Sequence, residues 1–497
     1  MSEKYGYHRL PQLLVTSRIP LILAILIGLT VAEIGHATLY RVPSMYPSIQ
    51  AAVDSAPGEP GDTVLVEPGR HVENVHIYGK ELVLASEFVL NGDPATITAT
   101  VIDGSAMNGA DTASTVLWTD IPGTTSEIRG LTIIGGDGTN VNDSGALFRE
   151  GGGLCVWSDN ERDGYLSILD NVFRDNNVVS QGVNMPIGGG GMTIWWTDIT
   201  MKRNVFYNNY ADEYSGAFAM NKNVSTVQNN LFTSNHLGAN TYGGTICYYW
   251  YATTAEPFSN NTIAGSSVAS GSNRLFRSAQ VATPVEFRNN IFNEASATVY
   301  SNAGGISPTF SYNLSYNLLT GEGNIAGVPF FDDYTFYVLS DASDGVDDGD
   351  PSILDMEDLN DPGQALWPAK GTTACDMGVY GGPGMPIGGF PDFTMELSID
   401  DAPGSAAQPS AFTLSPAYPN PFNSSTSFNV ILPQSAELTV RVFNLAGRQV
   451  STIANGRIPA GTHEFSFDAY DLASGSYFIR AIVPGQMDEI RRVTLLR

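Results

Sequence analysis

From Gly153 to Ala295 the chain alternates two kinds of short apolar run, separated by glycine, asparagine and charged residues. Runs of the first kind are led by glycine: GLCVW from Gly153, GMTIW from Gly191, GAFAM from Gly216 and GTICY from Gly244. Runs of the second kind are led by asparagine: NVFRDN from Asn171, NVFYNN from Asn204, NLFTSN from Asn230, NTIAGS from Asn261 and NIFNEA from Asn290. The glycines are 38, 25 and 28 residues apart, and the asparagines 33, 26, 31 and 29. Within a run the pattern is that of a short strand, with no helical periodicity. A unit of this length, with two strands in fixed order, is too short for a four-stranded propeller blade and lacks leucine-rich spacing. The pattern predicts an all-β solenoid, a parallel β-helix whose coils stack about 4.8 Å apart.

The punctuation follows from that expectation. A coil that turns sharply into each strand needs residues that accept positive φ, and glycine and asparagine do so at least cost. Asn171, Asn204, Asn230, Asn261 and Asn290 are expected to stack as an amide ladder inside one corner, which satisfies turn groups that would otherwise be buried unpaired. Aligning the glycine-led strands on Gly153, Gly191, Gly216 and Gly244 puts Leu154, Met192, Ala217 and Thr245, then Val156, Ile194, Ala219 and Cys247, on the inner face. Cys155, Thr193, Phe218 and Ile246, then Trp157, Trp195, Met220 and Tyr248, fall on the outer face. This register separates Cys155 from Cys247 by three coils and by face, so they are not expected to pair.

These residues resemble the right-handed parallel β-helix proteins of the pectin-lyase-like class. YPSIQAAVDSAPGEPGDTVLVEPGRHVENV, from Tyr46 to Val75, is similar to the capping helix and first coil of such proteins, with Pro47 in the first turn and Ile49, Ala52 and Val53 as its apolar stripe. DMGVYGG, from Asp376 to Gly382, is similar to the closing segment of bacterial surface proteins of that class. After Ala411 the pattern changes to longer alternating strands with turn residues between them, the mark of a small antiparallel, Ig-like β-sandwich. Its words YPNPFN (Tyr418 to Asn423), VFNLAGRQV (Val442 to Val450), GTHEFSFDA and SGSYFIRA resemble the C-terminal sorting domain of type IX secretion substrates. That likeness implies a secretion machinery as partner and a secreted or outer-surface location. At the other end, Lys4, Arg9 and Arg18 precede the apolar run PLILAILIGLTVA and the small residues up to Ala37. The run is shorter than the ~20 residues of a membrane span and reads as a secretory signal, with no span left after its removal. The chain thus divides into a signal peptide at 1–37, a β-helix with a capping helix at 38–397, a linker at 398–411 and a sorting β-sandwich at 412–497.

Composition narrows the chemistry. The formal net charge is −27, and the tail from Phe412 onward has seven arginines against six acidic residues, so the acidic excess lies in the helix. Such a surface repels nucleic acid. On the outer face Trp157, Trp195, Trp196, Tyr248 and Trp250, with Asp159 and Asp198 beside them, form a candidate carbohydrate-binding stripe: flat rings stack on sugars and carboxylates accept hydroxyl hydrogen bonds. The opposing reading is that the insert between Asn177 and Gly188, or another long loop, folds over this face and makes it a satellite core. The acidic run from Asp341 to Gly363 offers Asp344, Asp347, Asp348 and Asp350 as candidate calcium ligands, calcium being the one cofactor the sequence suggests. Candidate catalytic groups are Asp170, Arg174 and Asp175 on one coil and Lys202 and Arg203 on the next, without a motif of the lyases, esterases or polygalacturonases of this class. The expected function is polysaccharide binding at the cell surface, with a polysaccharide lyase or glycoside hydrolase, or a structural stalk, as alternatives.

Overall fold

The computed structural model describes residues 37–394, 413–414 and 422–495, less 144, 159–163, 180–186, 241–242, 251–252, 255–256, 272, 282, 305, 433–435, 445–447, 459–460, 471 and 484–486. The signal-peptide residues up to 36 and the linker at 398–411 lie outside the described residues.

The predicted coil is present. One turn runs through Leu154–Trp157, Gly164–Leu169, Val172–Arg174 and Asn177–Val178, and the next begins at Met192–Trp195. Each strand pairs in parallel with its counterpart one coil on, as in Leu154↔Met192, Leu166↔Ile199 and Val172↔Val205. Repetition builds three long sheets, with a shorter fourth of Asn177–Val178, Tyr210–Ala211, His236–Asn240 and Ser267–Gly271. The first sheet contains Gly164–Leu169, the second Val172–Arg174 and the third Leu154–Trp157.

The asparagine ladder is the spine of the corner between the first and second sheets. The Asn204 side-chain oxygen accepts both the backbone N–H (3.0 Å) and the amide Nδ2 (3.1 Å) of Asn171. The same double bond repeats from Asn204 to Asn230, Asn230 to Asn261 and Asn261 to Asn290. It continues past the expected end through Asn313 to Asn324. Positive φ falls one residue earlier than expected, on Asp170, Arg203, Asn229, Asn260, Asn289 and Tyr312. The ladder asparagine itself leaves the turn and supplies hydrogen bonds. A second ladder, Asn176–Asn209–Asn235, runs at the far end of the same strands.

Inside, Phe173, Phe206 and Phe232 stack with centroids 5.0 and 5.1 Å apart. Each fully buried ring contributes roughly 1.5–3 kcal/mol. The N-terminal end of this core is closed by the helix Ile49–Ser55, which buries Ile49, Ala52 and Val53 as expected. Ser48 rather than Pro47 sets its start, accepting from Ala51 N, and the Glu73 carboxylate takes the N–H groups of Ile49 (2.9 Å) and Gln50 (3.0 Å). At the other end the Lys80 ammonium donates to the carbonyls of Val53 and Ala56, complementing the helix dipole.

The run Gly188–Gly191 has two separate reasons. Gly189 has φ +65°, a left-handed conformation that only glycine adopts freely. Gly190 does not; there a Cβ would strike the carbonyls of Gly216 and Tyr210, because the incoming strand passes too close for any side chain.

The C-terminal sandwich has one antiparallel sheet of Thr413–Leu414, Ser425–Leu432 and Gly461–Asp468, and a second in the order Gln449–Ile458, Ala436–Asn444, Gly475–Val483, Met487–Leu495. Alternate residues, among them Leu438, Val440, Val442, Ile479 and Val493, bury its core.

Candidate functional site

The outer face of the third sheet carries the ring column, in a register that differs from the expected one. Gly190, not Gly191, aligns with Gly216, and Gly216 in turn aligns with Thr245, not Gly244, so the Gly216 coil slips by one residue and the Gly244 coil by two. The strand pairs are Met192↔Phe218↔Cys247 and Ile194↔Met220↔Tyr249, all facing the core. Phe218, Met220 and Ile246, expected outside, are therefore interior, whereas Ala219 and Asn221 face out. Small residues on both sides of Gly216 made the two frames equivalent by pattern. The true outer column reads Tyr78, Thr119, Trp157, then Trp195 and Asn221. Tyr248 is outward in the neighbouring column with Cys155, Thr193 and Ala219.

A hairpin lies over the middle of this face. Gly138–Asp143 and Ala146–Glu150 pair antiparallel, and their Val141 and Phe148 pack on Leu117, Cys155, Trp195 and Tyr214. Arg149 ties the hairpin to the chain before it: fully buried, it donates to the Asp137 carbonyl (2.9 Å), the Asp137 carboxylate (3.0 Å) and Asn140 Oδ1 (3.1 Å). Trp195 is only 2% exposed, and its indole N–H donates to the Glu150 carboxylate. It cannot offer its ring to a sugar. The cover is this hairpin, another long loop of the chain; residues 180–186 of the insert after Asn177 lie outside the described residues.

The other candidate residues divide. Trp157 is half-buried, with its ring 4.8 Å from Trp195. Trp196 turns the corner at φ +64°, its ring 4.0 Å from the Lys222 ammonium. Tyr248 stacks on Tyr214 at 4.7 Å with the rings 4° from parallel. Asp198 accepts the backbone N–H of Val224 at 2.7 Å, which occupies it in the turn. Asp159 and the Trp250 side chain lie outside the described residues. The open part of the column is its N-terminal end, where Tyr78 is 66% exposed. Beside it is a groove of about 350 Å³ lined by Glu73, Asn74, His76, Thr112, Ser114 and Leu117, among others. Asn74 Oδ1 is buried there without a hydrogen-bond partner, although its Nδ2 donates to the Ser114 carbonyl at 2.9 Å. Tyr78 and Asn74 escaped the sequence reading because their coil lacks the glycine-led word.

The acidic run does not gather its four aspartates. Asp347 accepts from Thr372 N (2.9 Å) and its hydroxyl (3.0 Å), while Asp350 accepts from Ser352 and lies 3.3 Å from Arg288. Asp348 meets Gly345 N at 3.4 Å, and the Asp344 carboxylate lies against Gly327. Among the described residues no three His, Cys, Asp or Glu side chains are grouped to hold a metal. The catalytic candidates are tied up in ion pairs: Asp170 joins candidate Arg203 (2.6 Å) and also Arg129 (2.9 Å), and Arg174 pairs with its neighbour Asp175. All three cysteines are free and buried.

Two strongly raised carboxyls lie at the closing segment. Burial, with Asp355 nearby, pushes Asp376 up to about 8; burial pushes Asp355 up to about 6. Asp376 accepts the N–H groups of Asp347 and Lys370, and Asp355 those of Gly382 and Asp376. A carboxyl raised in the folded state stabilises most below its unfolded value, and that contribution disappears as pH rises through the folded value. Heat stability is thus expected to decline between pH 4 and pH 8, and Asp376→Asn to flatten the decline. Melting curves across that range test this, and a melting temperature that climbs steadily toward pH 8 contradicts it.

Comparison with known proteins bears on the C-terminal part. Residues 416–491 match the family model of the secretion system C-terminal sorting domain. Among solved structures the chain is similar to PorZ, described as an essential bacterial surface component of the type-IX secretion system of Porphyromonas gingivalis. That likeness has 20% identity and a TM-score of 0.13, and it covers 20% of this chain and 13% of that one. No curated protein matches the chain. The sorting domain marks the protein as a client of the type IX machinery, exported to the cell surface or extracellular space. Among the described residues no helix is long and apolar enough to cross a membrane.

Proposed function

We propose that this exported β-helix retains polysaccharide on the open, N-terminal end of its outer ring column. The observation that carries the reading is Tyr78, exposed in the column of Thr119 and Trp157, beside a groove in which Asn74 Oδ1 has no partner. A ring that stacks on a sugar face and a groove edged by the polar side chains of Glu73, Asn74 and His76 are complementary to one pyranose unit. His76 and Thr119, hydrogen-bonded at 3.1 Å, add polar edges to the same surface.

The test is glycan-array and affinity-electrophoresis binding of the secreted chain. Tyr78→Ala and Asn74→Ala are each expected to weaken retention about tenfold, a change of about 1.4 kcal/mol. Retention unaltered in both removes this surface from consideration. The stalk reading is favoured by one observation, the burial of Trp195 under the hairpin, and it gains if the wild-type chain retains no glycan at all.

A further inference from the structure

The corner that carries the asparagine ladder has an outer side as well. Each coil places one positive-φ residue there, and at three successive coils the closing segment lies along those residues. Asn229 Nδ2 donates to the carbonyls of Val379 (3.0 Å) and Gly381 (2.8 Å). Asn260 Nδ2 meets the Asp376 carbonyl at 3.4 Å, and Asn289 donates to Cys375 Sγ while its Oδ1 accepts Asp350 N at 2.8 Å. Val379 and Tyr380 pack into the same apolar cluster as Val172, Val205 and Leu231. This track is thus a peptide-binding surface already occupied by the chain itself.

At the two preceding coils the equivalent residues are Asp170 and Arg203; there Phe390 and Phe393 cover Val172 and Val205, while Arg129 and Arg203 stay partly exposed. A groove of about 390 Å³ lies between them and residues 383–391, with Ile97, Val172 and Val205 among its lining and Arg129, Asp170 and Arg203 as its charged groups. One carboxylate serves two guanidiniums: Asp170 takes Arg129 Nε (2.9 Å), Arg203 Nε (2.6 Å) and a terminal nitrogen of Arg203 (3.0 Å). Arg129 is also 3.6 Å from Glu127, which does not line the groove. The lining therefore carries an excess of positive charge in a chain of net −27. Guanidiniums with spare N–H donors recognise carboxylates in a planar, bidentate fashion.

We propose that this groove binds an extended peptide bearing a carboxylate, as a continuation of the track that the closing segment fills above it. Backbone carbonyls would be read as the asparagines read Val379 and Gly381, an apolar side chain would rest on Ile387, which is exposed at the groove, and the carboxylate would share Arg129 and Arg203 with Asp170.

The probe is a synthetic peptide of the sequence Met377 to Gly382, which has no acidic side chain, with a free C-terminal carboxylate, titrated calorimetrically into the full chain beside its amidated form and an oligouronate. The free acid is expected to bind about tenfold more tightly than the amide, Arg203→Gln to weaken it about tenfold, and Asp170→Asn to strengthen it by releasing both guanidiniums. If Arg203→Gln does not fold, Arg129→Gln, on the more exposed of the two side chains, reads the same interaction. No binding, binding indifferent to the Arg and Asp substitutions, or preference for the oligouronate overturns the proposal.

Discussion

Asn230→Leu is expected to destabilise the β-helix by about 4 kcal/mol in denaturant unfolding. Asn230 is fully buried in the middle of the ladder. Its Oδ1 accepts Asn204 N (2.9 Å) and Nδ2 (3.0 Å), and its own Nδ2 donates to the Met201 carbonyl, the Gln228 carbonyl and Asn261 Oδ1. Leucine matches the volume but leaves two donors of the preceding coil and at least one acceptor buried without partners, at about 1–3 kcal/mol each. Asn324 is the matched control. As the last rung it is half-exposed, accepting from Asn313 and donating to the Phe310 carbonyl (3.1 Å), so Asn324→Leu should cost about 1 kcal/mol, since water replaces what is lost. Equal losses at the two positions would mean that the ladder is not a cooperative element.

Trp195→Ala is the second large effect, about 3–5 kcal/mol. The indole fills the space between Phe148 of the hairpin (5.4 Å) and Trp157 (4.8 Å), and its removal opens a cavity that the rigid strands beneath cannot close. It also strips the Glu150 carboxylate of its N–H donor in a buried setting. Trp195→Phe separates the two contributions, because it keeps ring contact and loses the charge-assisted bond, worth about 1.5–3 kcal/mol. Thermal unfolding of both variants is the measurement; a melting temperature unchanged in Trp195→Ala would mean that the hairpin does not press on this ring.

The coil architecture was legible because its causes are local and repeated. An amide that must bond the next amide recurs at every coil, so Asn171, Asn204, Asn230, Asn261 and Asn290 announce themselves by spacing alone. Asn176, Asn209 and Asn235 close the same quoted words and obey the same rule, yet a reading anchored on the leading asparagine passes over them. The register of the third sheet was less legible. Either Gly190 or Gly191 could face Gly216 by pattern, and only close approach of the backbones selects Gly190. Least legible was the cover on the ring column. Nothing local in GTNVND or ALFRE says that this hairpin will lie across Trp195, because its position depends on contacts between residues far apart in sequence such as Trp195 and Glu150. The same holds for the acidic run, whose aspartates are drawn apart by Thr372, Ser352 and Arg288 instead of converging.

The account rests on a ring column that is core at Trp195 and surface at Tyr78. One experiment addresses both ends: Trp195→Ala and Tyr78→Ala compared side by side for thermal stability and glycan retention. The account predicts that Trp195→Ala melts well below the wild type yet, while folded, retains glycan normally, and that Tyr78→Ala melts like the wild type and loses retention. Loss of retention in folded Trp195→Ala, with Tyr78→Ala unaffected, would contradict it.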